Sequence, residues 1–168
     1  RIRSHAADPW LSCIRGTATG DRGVAGEAGV VKKVRPITDN PVCPCGSGQS
    51  YASCCAAFLD NGALPATAEQ LMRSRYTAYV LAREDYLLRT WHGSTRPAQL
   101  GLLDAGPVKW LGLKVLRCEA GGANDREAIV EFMARYQVNG RAERLHEVSR
   151  FVRDAGHWLY VDGQSASV

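Results

Sequence analysis

Cys43, Cys45, Cys54 and Cys55 fall within one short string, CPCGSGQSYASCC, which holds four of the six cysteines of this 168-residue chain. Two thiols one residue apart and two adjacent thiols, separated by a loop rich in Gly and Ser, can close a tetrahedron around one Zn²⁺ at about 2.3 Å. Disulfides suit the spacing poorly, because a bridge wants Cα atoms roughly 5.5 Å apart with oriented side chains, and adjacent cysteines reach each other only with strain. An iron–sulfur cluster also takes four cysteines, but so compact a spacing favours a single ion. Four protein thiolates leave no coordination position for water, so the zinc expected here is structural rather than catalytic. Gly46 and Gly48 fit this reading, since a chain wrapped tightly around an ion needs positive φ angles. Of the other two cysteines, Cys13 reads as a bystander and Cys118 as a small hydrophobe packed in a strand.

The elements that must carry this cluster and any further site follow from periodicity. Thr67-Ala68-Glu69-Gln70 is a capping box, with Thr67 accepting from the N3 amide and Gln70 reaching back, and it predicts a helix over about 68–82. A second short helix is expected over about 84–91 and a third between Pro97 and Asp104. From Val108 the apolar period changes to two: Leu111, Leu113 and Val115 first, then Ala128, Val130, Phe132, Ala134, Tyr136 and Val138. Asn139-Gly140 is a hairpin signal that sets 127–138 antiparallel to 141–153, and a turn at Asp154-Ala155-Gly156 leads into a last strand over His157–Asp162. Helices followed by antiparallel strands make an α+β domain with the helices on one side of a curved sheet.

Several strings carry a resemblance. Pro44-Cys45-Gly46-Ser47-Gly48 closed by Cys54-Cys55 resembles the SEC-C motif, a small zinc module also found at the C-terminus of the SecA translocation ATPase. LMRSRYTAYV at 71–80, TWH at 90–92, WLGL at 110–113 and HEVSRFVRDAGHWLYVDG at 146–163 together resemble the YchJ family, over residues 41–163. The resemblance implies a SEC-C zinc-binding module over 41–60 and a nuclear transport factor two-like cone, akin to SnoaL-like domains, over 65–163. Residues 1–40, outside it, are expected to be a disordered or non-native extension. Two departures matter. The SEC-C loop is usually rich in lysine and in SecA meets an acidic chaperone surface, whereas GQSYASCC is uncharged. Many family members also carry a second module after the Asp-Gly, where this chain reads QSASV, so one zinc is expected.

Cones of this kind often hold a pocket between the sheet and the first helix. The candidates for it are Arg73, Tyr76 and Tyr79 on that helix, Trp91 and His92 after the second, and His146, Glu147, Ser149 and Arg150 on the third strand. His92 and His146 can titrate near neutral pH and move protons. The competing account makes these residues cross-strand pairs and core. Alternation separates Leu145, Glu147, Ser149 and Phe151 from Arg144, His146, Val148 and Arg150, and since neither set is cleanly apolar, either can face the helices.

Composition narrows the classes. Residues 1–40 hold seven Lys/Arg against four acids, so three of the four excess positive charges lie there, and the remainder is nearly balanced. A basic footprint for nucleic acid is missing from the expected domain. No stretch approaches the roughly 18 apolar residues of a membrane span. Clustered cysteines without an export signal point to the reducing cytoplasm. Two functions stand against each other. One is a zinc-binding protein whose SEC-C module recognises a protein partner and whose cone scaffolds or binds a small-molecule ligand. The other is a hydrolase, isomerase or dehydratase acting on a small apolar substrate in the cone, with His92 or His146 working beside Glu147 or Asp162. No catalytic motif of fixed spacing appears, so the sequence leaves enzyme or non-enzyme open.

Overall fold

The computed structural model describes Trp10, residues 41–104 and residues 106–166. Its elements run α1 (Ala56–Leu59), α2 (Ala68–Val80), α3 (Glu84–Arg89), β1 (Val108–Ala120), β2 (Glu127–Val138), β3 (Arg141–Asp154) and β4 (His157–Ser165). The four strands form one antiparallel sheet in sequence order. It curls around α2, so the fold is the expected α+β cone of helices against a curved antiparallel sheet.

Helix α2 starts where its cap is written. Thr67 accepts from the Gln70 backbone N–H at 3.1 Å, and Gln70 Oε1 accepts from Ala66 N–H at 2.8 Å, one residue earlier than a capping box requires. The helix is buried on nearly every side, with Leu71, Met72, Ser74, Arg75, Tyr76, Thr77, Ala78 and Tyr79 all inside. Such a helix is covered by two neighbours rather than one. The sheet takes one side and the cysteine segment takes another.

The β2–β3 hairpin has the expected register, Val138 opposite Arg141, with Asn139 and Gly140 at φ +49° and +79° as a tight hairpin turn requires. On β2, Ala128, Val130, Phe132, Ala134 and Tyr136 all point into the core. Strand β1 departs from the expected alternation. A bulge between Trp110 and Gly112 shifts the pleat, so Leu113 is buried while Leu111 is exposed. Cys118, expected to pack as a hydrophobe, is exposed with its thiol beside the Glu69 carboxylate.

The third helix is not there. Residues 97–104 are irregular and end in a turn over 102–104, and the Glu84 carboxylate accepts the backbone N–H groups of Leu100 and Leu102 at 2.8 and 3.3 Å. A side chain that captures these donors competes with the helical ladder. The other helices are shorter than expected, α2 ending at Val80 and α3 at Arg89. Beyond α3 the chain runs along β4: His92 N–H bonds Tyr160 O at 2.7 Å and Tyr160 N–H bonds Thr90 O at 2.9 Å. That bridge covers part of a sheet edge and turns Trp91 inward.

Candidate functional site

The cysteine segment folds as a small knuckle. Val42 pairs with Ser50, and Cys43 N–H bonds Gln49 O at 2.8 Å, so the intervening loop doubles back over the first two thiols. Gly46 and Gly48 sit at φ +76° and +79°, the conformation expected of them. Helix α1 then begins directly after Cys55. The four sulfurs of Cys43, Cys45, Cys54 and Cys55 lie within 4.8 Å of one another, a set that can hold a metal ion. Cys45 and Cys54 are 3.6 Å apart and Cys54 and Cys55 3.9 Å apart. A tetrahedron with ligands at about 2.3 Å has edges of about 3.8 Å, whereas a disulfide would bring sulfurs to about 2.05 Å. These two separations suit ligands around an ion and not a disulfide.

The surroundings support the same chemistry. Cys43, Cys45 and Cys55 are almost wholly buried. Hydrogen bonding from Cys55, against the opposing effect of burial, together with Ser47 and Cys43 pulls the Cys45 thiol down to about 4. The same hydrogen bond and then burial push Cys55 up, while burial pushes up Cys54. Four thiols crowded together cannot all ionise without a cation, and a cation is what lets them.

Helix α2 backs the knuckle. Thr77 donates its hydroxyl to Cys55 Sγ at 3.3 Å, and Cys43 Sγ lies 3.8 Å from the same oxygen. One turn earlier Arg73 donates to Cys45 O at 2.8 Å and pairs with Glu69. On the far side Arg83 donates to Asp60 and to Leu59 O, and Tyr51 Oη donates to Asp60 at 2.7 Å. Gly46 presses so close to β1 that a Cβ there would lie 2.7 Å from Leu113 O. Contacts of this kind orient metal ligands from outside the first ring of atoms. Arg73 had been singled out for the cone pocket; it serves the cysteine knuckle instead.

The cone interior settles which face of β3 looks inward. Leu145, Glu147, Ser149 and Phe151 are buried, while Arg144 and Arg150 are exposed. His146 and Arg150 are thereby removed from the interior. His146 Nε2 meets Glu131 at 2.8 Å on the outer face, and Arg150 makes a two-pronged pair with Asp162 at 2.6 and 2.7 Å. His92 also lies outside, its ring nitrogen 2.6 Å from Ser94 Oγ. These three pair with neighbours outside the cone interior.

Within the cone, Ser149 donates to Glu147 Oε1 at 2.6 Å, and Tyr160 Oη donates to the same oxygen at 3.3 Å. Trp91 stands edge-on to Tyr160 at 4.9 Å. The buried Arg75 guanidinium lies 4.5 Å from the Tyr160 ring centre and 5.0 Å from that of Trp91, and donates to Leu87 O and Thr90 Oγ1. Gly163 faces this cluster with no side chain, because a Cβ there would run into the Glu147 carboxylate. Tyr76 lies elsewhere, against Trp110, with burial pushing its phenol up to about 12. Arg75, Thr77, Tyr160 and Gly163 escaped the sequence reading. Strand parity, Trp158 and Tyr160 on one side, carried the signal for Tyr160; nothing in the sequence marked Arg75 as buried.

Residues 67–163 match the model of the YchJ middle NTF2-like domain, and residues 42–57 match the SEC-C motif. The chain belongs to the YchJ family. A UPF0225 protein of Chromobacterium violaceum is 60% identical over 123 residues, covering 72% of this chain and 90% of the relative. Another from Xanthomonas campestris is 49% identical over 130 residues, covering 77% and 98%. The solution structure of a SEC-C motif containing protein from Rhodopseudomonas palustris aligns with a TM-score of 0.66 at 32% identity, over 74% of this chain and 98% of that one. The crystal structure of a SEC-C motif containing protein from Psychrobacter arcticus aligns at 0.61 and 28%, over 75% and 83%. Among the described residues no helix is long and apolar enough to cross a membrane.

Proposed function

We propose that this YchJ-family protein is a cytoplasmic zinc protein in which one structural Zn²⁺, held by Cys43, Cys45, Cys54 and Cys55, shapes a protein-recognition knuckle carried on a scaffolding or ligand-binding cone. The observation that supports it is the set of four sulfurs within 4.8 Å of one another, closed on the protein side by Thr77. When bound, the ion supplies cross-linking charge rather than an open site for reaction. What the knuckle shows to solvent is Pro41, Val42, the uncharged loop 46–49, Ala52 and Ser53, with Asp60 at its far end engaged by Arg83 and Tyr51. A partner reading this surface would use backbone and small polar contacts, not the charge pairing of a lysine-rich loop. Neither nucleic acid nor membrane enters this reading.

Metal analysis of reduced protein tests it: one zinc per chain is expected, and less than half an equivalent overturns it. Capture from a cytosolic lysate, with and without chelator, tests recognition. Bound proteins that leave with the metal support the role, and a capture profile indifferent to chelation removes it.

A second reading, a small-molecule hydrolase, isomerase or dehydratase, draws on one observation: a wholly buried carboxylate, Glu147, hydrogen-bonded by Ser149 and Tyr160. Buried carboxylates in such company are frequent in acid–base sites and in structural networks alike. Glu147→Gln separates the roles. Lowered stability with ligand and partner binding intact in the folded fraction marks structure, whereas unchanged or raised stability with loss of ligand binding marks a site.

A further inference from the structure

Beside the polar cluster of Glu147 and Tyr160, four aromatic side chains surround a fifth that comes from far up the chain. Trp10 is 2% exposed. Its indole lies flat on Tyr79, ring centres 4.5 Å apart and planes 5° apart, with Phe132 on it at 5.3 Å and 27°. Trp110 and Tyr76 close the sides at 5.4 and 6.3 Å, both tilted. Two near-parallel faces with tilted walls make a slot for a flat π system, the arrangement aromatic quadrupoles favour.

The slot and its occupant have different standing in the chain. Tyr76, Tyr79, Trp110 and Phe132 all fall inside the span that matches the family's domain, residues 67–163; Trp10 lies outside both matched spans. The box is thus made entirely by the part of the chain shared with the family, and is filled by a residue from the part that is not matched. Phe132 is also the register partner of Glu147 on β3, so the slot adjoins the polar cluster of the cone.

We propose that the box formed by Tyr76, Tyr79, Trp110 and Phe132 is a binding site for a planar aromatic group, and that Trp10 is its intramolecular occupant. Because Trp10 belongs to the same chain, a free aromatic of modest affinity meets a competitor already in place. Trp10 then acts as a plug that a stronger aromatic ligand displaces. The proposal stands apart from the zinc reading, since the box includes no cysteine.

The full-length chain and its Trp10→Ala variant are titrated with indole, followed by calorimetry and by the NMR shift of the Trp110 indole N–H. A Trp158→Ala variant, which empties a similar volume elsewhere in the core, controls for binding to any new cavity. Trp10→Ala should remain folded and bind indole about tenfold or more tighter than the unaltered chain. It should also prefer indole to cyclohexanol by at least about fivefold, since a saturated ring forgoes two stacked faces. Equal affinity in Trp10→Ala and the unaltered chain overturns the proposal, as does equal affinity in Trp158→Ala or for cyclohexanol. Loss of cooperative unfolding in Trp10→Ala overturns it too, for then Trp10 is an ordinary member of the core.

Discussion

Over residues 42–57 the buried side chains are three thiols and one alanine; in the cone they include Tyr76, Tyr86, Phe132, Phe151, Trp158 and Tyr160. Each large cone side chain removed from water is worth roughly 1.5–3 kcal/mol. The knuckle has no comparable source of stability, and below about 40 residues a segment usually needs a metal or disulfides. Its disulfide option is unused, with the four thiols free. Two neighbouring regions of one chain therefore draw on different physics, packing on one side of α2 and, on the other, a cluster of four thiols that could hold a metal ion. The helix between them serves both, and this explains why it is buried nearly all round.

Removing the metal is the largest perturbation of this contrast. Structural zinc in comparable small modules is worth roughly 10–16 kcal/mol. Cys54→Ser/Cys55→Ser should abolish zinc binding and strip hydrogen-exchange protection from residues 43–59, while the β2–β3 hairpin keeps most of its own. A single loss of protection across both regions would show that they fold as one unit and that the contrast is false.

The seam between the regions is the next place to press. A Gly46→Ala Cβ meets Leu113 O at 2.7 Å and forces an L residue to φ +76°. Leu113 O belongs to the backbone of β1 and cannot swing aside, so a cost of about 1–3 kcal/mol in global stability is expected, with zinc retained. Chemical denaturation with metal analysis checks both halves. An unchanged midpoint would mean that the knuckle rides loosely on β1.

These two regions also differed in how far the sequence revealed them. The knuckle was legible because ligand chemistry is written in residue type and spacing: Cys43, Cys45, Cys54 and Cys55 converge, with Gly46 and Gly48 at positive φ. In the cone, the alternation of β2 and the Asn139-Gly140 turn predicted the hairpin register. What failed there depended on partners distant in sequence. Both faces of β3 carry charge, and only packing against the helix decides that Glu147 and Ser149 go in while His146 and Arg150 go out. A bulge, which leaves no mark in an apolar pattern, turned Leu111 away from Leu113. The helix expected at 97–104 lost the amides of Leu100 and Leu102 to Glu84, sixteen and eighteen positions upstream of them. Of the expected extension over 1–40, all but Trp10 lies outside the described residues, and Trp10 is buried against Tyr79. One tryptophan in a stretch without period gives no signal that it will reach a core.

The smallest expected effect lies on the outer face of the cone, where charge pairing adds to a fold that packing already holds. Glu131 accepts from His146 and from Arg117, and these hydrogen bonds, His146 first, hold its carboxyl below the ordinary value of 4.5. A carboxylate depressed in the folded state contributes stability that is fully present above its unfolded value and is lost as pH falls through the folded one. The window therefore opens at about pH 4.5 and runs downward. Unfolding midpoints measured from pH 6 to pH 3 should show the unaltered chain losing stability slightly more steeply than Glu131→Gln below that point, with parallel behaviour above it. Because acid strips zinc from both proteins alike, the difference between them isolates the cone. A difference that persists unchanged up to pH 6 would mean that Glu131 contributes shape rather than charge. A difference as large as that of Gly46→Ala would mean that electrostatics on the outer face, and not burial alone, carries the cone's share of the contrast.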